Sequence, residues 1–134
     1  MVLLESSVFL LGSKLFTTVI NDTASKLINV TETAIIHDHK DLHEVLTELD
    51  LDMRLSVINS LVNNIKHTGN DTVEICLKSI LEVITNINNI TDKIKIAQLE
   101  HREKYFNGWR AIDLDDYISE IIKQSELLEK RFGL

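Results

Sequence analysis

The sequence predicts an all-α protein, an antiparallel four-helix bundle formed by a single domain over residues 1–134. Three observations favour this fold class. The chain has no proline and only four glycines, its apolar residues recur at helical spacing, and acidic residues that could cap helices precede several apolar runs. Turns and loops draw heavily on proline and glycine, so their scarcity indicates long helices joined by short links.

The first predicted helix spans residues 2–36. Its apolar residues cover a wide arc, which indicates a helix that packs against more than one neighbour. The arc is formed by Val2, Val8, Phe9, Leu11, Leu15, Phe16, Val19 and Ile20, and it continues through Ala24, Leu27, Ile28, Ala34 and Ile35.

The second predicted helix spans residues 41–67, with a kink near residues 50–52. Asp41 followed by Glu44 matches a capping box, in which each side chain bonds a backbone amide of the first turn. Asp52 is a second candidate N-cap where the helix restarts after the kink, and Gly69 is a candidate stop.

The third predicted helix spans residues 71–106 and carries the most regular pattern. Two interleaved sets of apolar residues each recur every seven positions, as in the seam of a helical bundle. The sets are Val73, Ile80, Ile87 and Ile94, and Cys76, Val83, Ile90 and Ala97. We therefore expect a buried thiol at Cys76, and a central hairpin formed by the first and third helices.

The fourth predicted helix spans residues 113–132. Asp113 is its candidate N-cap, with Asp115 and Asp116 in the first turn, where negative charge suits the helix dipole. Gly133 follows the last turn as a candidate left-handed cap.

The charge pattern excludes several classes of partner. The formal net charge is −7, and no stretch gathers lysine and arginine without interspersed acids, so we expect no nucleic-acid binding and no membrane association through charge. The single cysteine predicts an intracellular, cytoplasmic protein. A composition rich in isoleucine and asparagine is typical of A/T-rich genomes, including those of large DNA viruses, which suggests a virus-encoded protein and leaves a virion component open.

The segment HREKYFNGWR concentrates Tyr105, Phe106, Trp109 and Arg110 in a chain with 5% aromatic residues. One interpretation is a structural turn, in which Trp109 folds back from Gly108 onto the end of the third helix. The alternative is a protein-binding surface, because tryptophan, tyrosine and arginine dominate interface hot spots.

Three histidines, His37, His39 and His43, are close together in the sequence and form a candidate metal site. Zinc needs three or four ligands in fixed geometry, and Glu44 is adjacent. The alternative interpretation is a solvated connection between helices, because Asp41 is a candidate cap within the same segment.

Signals for catalysis are absent from the sequence. It contains no glycine-rich phosphate loop, no nucleophile elbow and no His-Glu-x-x-His motif. The acidic run Glu44, Glu48, Asp50 and Asp52 lies opposite an apolar face, as solvated carboxylates do. We therefore predict a protein that is not an enzyme, with no cofactor and no small-molecule substrate.

These observations predict a non-catalytic, scaffold-like bundle that acts in protein interaction or assembly, through self-association or a protein partner. Two alternatives belong to other classes. One is a membrane-perturbing effector that acts through the apolar first helix, by analogy of fold alone. The other is a metal-binding enzyme that uses His37, His39 and His43.

Overall fold

The structure, a computed structural model, describes residues 2–64, 71–105 and 112–133, with side-chain surroundings for residues 14–64, 72–103 and 112–133. The described residues form five helices and no strand. They are α1 (Val2–Ile36), α2 (Lys40–Leu49), α3 (Leu51–Asn63), α4 (Asp71–Tyr105) and α5 (Asp115–Phe132). α2 and α3 together take the place of the second predicted helix. The predicted all-α helical bundle is confirmed, because the described residues form helices that pack against one another.

The helices are arranged around one apolar core. α1 packs against α2, α3 and α4, and α5 packs against α4 and, less extensively, against α2. The wide apolar arc of α1 therefore does meet several neighbours, and α1 with α4 forms the most extensive pair. No helix in the described part of the chain is both long enough and apolar enough to span a membrane.

The buried face of α1 is narrower than predicted. Its buried residues alternate at intervals of four and three positions, and they are Phe16, Ile20, Thr23, Leu27, Val30 and Ala34. Three residues of the predicted face, Leu15, Ile28 and Ile35, are instead 55%, 46% and 58% exposed. The reason is geometric. Residues spaced alternately by four and three positions form one narrow stripe along the helix, and this stripe alone contacts the core, so apolar residues on either side of it are left in solvent.

The break between α2 and α3 confirms the predicted kink and places it at Asp50. This residue adopts the left-handed conformation, with φ 49° and ψ 42°, so that it ends one helix and begins the next. Its amide donates to the Leu46 carbonyl at 3.1 Å, and its carbonyl accepts from the Arg54 amide at 3.1 Å. Asp52 is therefore not the cap, because it lies inside the first turn of α3.

Two other predicted helix ends are shifted. α2 begins at Lys40, so Asp41 lies within the first turn and the N-cap position falls to His39, which makes no capping hydrogen bond through its side chain. α5 begins at Asp115, two residues later than predicted, and Asp113 Oδ1 accepts from the Asp115 amide at 3.1 Å. The predicted end of the second helix, at residues 65–67, and the stop at Gly69 lie outside the described residues.

The seam of α4 is confirmed from Ile80 onward but fails at its start. Cys76 is exposed, and neighbouring Ile75 is 67% exposed. The physical reason is the length of α5, whose last turn lies beside Ser79, since Arg131 donates to the Ser79 carbonyl at 3.0 Å. The first two turns of α4 extend past that point and lack α5 as a neighbour.

The polar residues buried between the helices are mostly satisfied by hydrogen bonds. The Thr23 hydroxyl donates to the Val19 carbonyl at 2.7 Å and accepts from Asn88 Nδ2 at 2.8 Å. Beside this pair, Lys26 on α1 contacts Asp92 on α4 at 2.9 Å and Asp22 at 3.1 Å. These contacts fix how α1 and α4 are aligned along their axes.

Candidate functional site

The aromatic cluster of residues 105–110, which the sequence analysis proposed as a protein-binding surface, lies outside the part of the chain whose side chains the structure describes. Tyr105 is the last residue of α4, and its side chain lies outside the described part. Phe106, Trp109 and Arg110 also lie outside the described residues. Both interpretations of this segment, the structural turn and the binding surface, therefore stay predictions.

The structure groups the histidines differently from the sequence-based prediction. The rings of His37 and His39 have centroids 6.0 Å apart, and the ring of His101, from α4, is also 6.0 Å from that of His39. His43 lies one turn into α2, where its amide donates to the His39 carbonyl at 3.0 Å. The assembled group is therefore His37, His39 and His101.

This histidine group is not arranged as a metal centre. Within the described residues, no set of three or more histidine, cysteine, aspartate or glutamate side chains has a geometry that could hold a metal ion. The predicted ligands His37, His39 and His43 therefore form no such set.

The histidines line a cleft between the end of α1, the α1–α2 turn and the last turns of α4. The cleft has a volume of about 420 Å³, within the size range of small-molecule sites. Its lining residues are Ile36, His37, Asp38, His39, Gln98, His101 and Arg102. Asp38 holds the tight turn at its edge, with φ at 58°, and the His39 amide closes that turn onto the Ala34 carbonyl at 2.8 Å.

Two of the residues that line this cleft each have one side-chain atom that is inaccessible to solvent and lacks a hydrogen-bond partner, unlike the other buried polar side chains of the described residues. The two atoms are Nδ1 of His39 and Oε1 of Gln98. Gln98 is 4% exposed, and its amide nitrogen donates to the Val30 carbonyl at 3.2 Å. Because a carbonyl can only accept, this bond fixes the orientation of the Gln98 amide and leaves Oε1 as an acceptor.

Burial sets the charge state of the central histidine. The pKa of His39 is lowered from 6.5, first by burial and then by the nearby imidazoles of His101 and His37, with Asp38 opposing them. A lowered pKa keeps His39 neutral at pH 7, with one ring nitrogen as donor and the other as acceptor.

Sequence reasoning missed Gln98, His101 and Arg102, which supply three of the seven residues that line the cleft. They are separated from His39 by 59 or more positions, and nothing local marks them as partners. The available signal is the polar residue Gln98 in a seam of isoleucines, one turn after Ile94, because a buried amide needs a partner.

A second feature of the surface is the outer face of α3. Met53, Val57 and Leu61 recur every fourth residue and are 59%, 40% and 46% exposed, so they form one apolar stripe along the helix. The exposed residues beside them are Ser56, Ser60 and Asn64. Residues 55–64 contain no charged side chain, although 26% of the whole chain is charged.

The remaining candidates show ordinary surface environments. Glu44, Glu48 and Asp50 of the acidic run are exposed, and Asp52 is half-buried. Cys76 is exposed on α4 rather than buried in the seam.

The chain matches no protein-family model, no curated protein and no solved structure.

Proposed function

We propose that this protein is a non-catalytic assembly component that pairs with a second copy of itself through the outer face of α3. The observation that carries the proposal is the exposed stripe of Met53, Val57 and Leu61, which runs from Met53 into the ten residues 55–64 that carry no charged side chain. Elsewhere, exposed apolar residues stand among charges. Ile96 and Leu99 on α4, for example, lie beside Lys95 and Glu100.

Charge favours a second copy as the occupant of this face. Each copy carries a formal charge of −7, so two copies repel each other wherever their charged surfaces meet. Pairing through residues 55–64 places no charged side chain of that segment against another, and it brings apolar area out of water. A positively charged partner would instead be attracted to the acidic faces of the other helices.

The shape of the stripe also suits self-pairing. Large side chains at Met53, Val57 and Leu61 alternate with small ones at Ser56 and Ser60, so two antiparallel copies can interdigitate about a twofold axis. Val57 lies at the middle of the stripe and would lie nearest that axis.

The contact is expected to be weak. Residues 53–63 of α3 extend about 16 Å, which is short for an interface of roughly 800 Å² per partner. We expect a dissociation constant on the order of tens to hundreds of micromolar. The proposal also keeps the cytoplasmic location, supported by the single cysteine, and the viral origin, supported by the composition rich in isoleucine and asparagine.

Sedimentation velocity over concentrations that bracket this range tests the proposal. The wild type is expected to shift from monomer toward dimer, whereas Leu61→Glu stays monomeric because it places a charge in the stripe. Ile96→Glu is the matched control, since Ile96 is 55% exposed on a different helix, and it should dimerise as the wild type does.

Cross-linking tests the orientation. In a Cys76→Ser background, which removes the exposed native thiol, Val57→Cys should form a disulfide-linked dimer under mild oxidation, and Ile96→Cys should not. A wild type that stays monomeric throughout, or a Leu61→Glu variant that dimerises normally, contradicts the proposal. Capture of an unrelated protein by the α3 face of a monomeric chain would replace the second copy with another partner.

A further inference from the structure

Helix α2 lies between two residues with left-handed backbone. In the described part of the chain, Asp38 and Asp50 are the residues other than glycine with positive φ, at 58° and 49°. Asp38 precedes α2 by two residues, and Asp50 follows it directly. Such conformations are uncommon for residues with a side chain, and they occur often in switch segments. α2 is therefore a ten-residue helix with a tight turn at each end.

α2 is also less extensively packed than the long helices. It packs chiefly against α1 and to a smaller extent against α5, whereas the most extensive contacts of the bundle are α1–α4, α1–α3 and α4–α5. Its buried side chains are Leu42 and Leu46, which lie one turn apart on the same face. If α2 moved away, those three larger contacts would be preserved.

The start of α2 lies against α4 through His39, the residue at the N-cap position. The centroid of the His39 ring is 6.0 Å from that of His101 on α4 and 6.0 Å from that of His37. Nδ1 of His39 is inaccessible to solvent and has no hydrogen-bond partner. A neutral ring can keep its unprotonated nitrogen at this position, because that nitrogen carries no hydrogen to be satisfied.

Protonation of His39 makes the same position unfavourable. An imidazolium carries a hydrogen on both ring nitrogens, so Nδ1 becomes a charged donor that reaches neither an acceptor nor water. The charged and titratable groups that line the cleft with it are His37 and Asp38 from the α1–α2 turn, and His101 and Arg102 from α4. Of these four, Asp38 alone is acidic, and it is exposed, so at acidic pH the new charge meets mostly like charge.

We propose that residues 39–49 form an acid-released flap, which turns about Asp38 and Asp50 and is held closed by the neutral ring of His39 beside His101. On protonation the His39 ring leaves α4 for water, the α1–α2 turn opens, and the buried face of α2 with Leu42 and Leu46 separates from the core. The contacts among α1, α3, α4 and α5 are kept.

The electrostatics of His39 give the direction of this switch. Burial, followed by the imidazoles of His101 and His37, lowers the pKa of His39 from 6.5, and Asp38 opposes them. In the open flap the ring is solvated, so its pKa returns to about 6.5 and the open form binds the proton more tightly. Opening is therefore favoured as the pH falls from 6.5 through the pKa of the closed form, by at most about tenfold per pH unit for one proton.

Native-state hydrogen exchange between about pH 7.5 and pH 5 measures this opening. The reporters are the amides of His39 and Asp50, which donate to the Ala34 and Leu46 carbonyls at the two ends of the flap. Released from the core, a ten-residue helix is marginal in water, so both amides exchange once the flap opens. Their protection, corrected for the intrinsic rate, should be lower than that of the Ile87 amide in the middle of α4, and it should fall further as the pH drops.

Three variants assign the effect to His39. His39→Gln keeps a polar side chain that does not titrate, so it should remove the pH dependence at the Asp50 amide. His43→Gln is the matched control, because His43 lies on α2 outside the cleft lining, and it should keep the dependence of the wild type. His101→Gln should raise the pKa of His39 toward 6.5, as followed by its ring-proton chemical shift, and so reduce the dependence.

Three outcomes overturn the proposal. Protection at Asp50 equal to that at Ile87 means that α2 opens only when the whole chain unfolds. Protection at Asp50 that does not change with pH in the wild type means that the helix frays while His39 stays in place. The third outcome is an unchanged pH dependence in His39→Gln. The first two need no variant, so the test does not depend on whether a variant folds.

The flap is independent of self-association. Met53, Val57 and Leu61 lie on α3, on the other side of Asp50 from the flap. Hydrogen exchange at α2 and sedimentation of the wild type therefore test different parts of the chain, and either proposal can fail without the other.

Discussion

Replacing Ile94 by alanine is expected to lower the free energy of unfolding by about 2–5 kcal/mol, as for other buried isoleucines. The same change at Ile96 should alter it by no more than about 0.5 kcal/mol. Ile94 is 0% exposed in the seam between α4 and its neighbours, whereas Ile96 is 55% exposed. The pair therefore tests the register of α4 directly.

The comparison isolates burial because everything else is matched. Both residues lie within α4, so the gain in helix propensity from isoleucine to alanine, a few tenths of a kcal/mol, applies to both. What differs is the apolar area returned to water and the cavity left behind at Ile94. The difference between the two variants should therefore be about 2–5 kcal/mol.

Urea denaturation followed by circular dichroism at the helix band measures both values. The slope of the unfolding free energy against urea should be the same in the wild type and both variants, so that only the midpoint moves. A cost at Ile96 equal to or larger than that at Ile94 would refute the described seam, as would two variants that are both close to the wild type.

Three further predictions concern the α2–α3 break, the cleft and the α1–α4 contact. Asp50→Gly should stabilise or leave the protein unchanged and Asp50→Val should destabilise it by about 1–2 kcal/mol in the same assay, because φ is 49°. The pKa of His39 is below 6.5 in the folded state, so the unfolded state binds more protons and stability falls as the pH drops from above 6.5 toward the folded pKa. Melting curves of His39→Gln between pH 7.5 and 5 should show a smaller loss than the wild type, and His43→Gln should behave as the wild type. Lys26→Met should cost about 1 kcal/mol, less at high salt, since Asp22 and Asp92 are 53% and 45% exposed, and Lys93→Met should cost less than 0.5 kcal/mol.

The features that sequence reasoning predicted correctly are those set by local pattern. The ends of α1 at residues 2 and 36, the start of α4 at Asp71 and the break at Asp50 follow from periodicity and from polar residues that interrupt it. The seam from Ile80 to Ile94 is also local, because a seven-residue repeat identifies the buried face of a helix without reference to its partner.

Cys76 shows where local pattern stops being sufficient. It continues the seven-residue repeat perfectly and is nevertheless exposed. Its burial depends on whether another helix reaches that level of the bundle, and α5, with 18 residues, ends beside Ser79. The exposure of Ile28 and Ile35 on α1 also depends on the neighbouring helices. The apolar pattern predicts which side of α1 faces the core, but it does not predict how wide a part of that side the neighbouring helices cover.

The cleft could not be predicted for a related reason, which lies in the repeat itself. A seam of isoleucines every seven residues packs almost equally well if α4 slides by one repeat, a shift of about 10.5 Å along the helix axis. Such a shift would move His101 and Gln98 away from His39 without exposing the seam.

Polar contacts distinguish the observed alignment of α1 and α4 from the shifted one. The Lys26 ammonium contacts the Asp92 carboxylate at 2.9 Å, and Asn88 donates to the Thr23 hydroxyl at 2.8 Å. These contacts join residues that are 65 or more positions apart, and they carry no periodic signal. The apolar repeat therefore determines that α1 and α4 pair, whereas a few polar side chains determine the alignment that brings the histidines and Gln98 together.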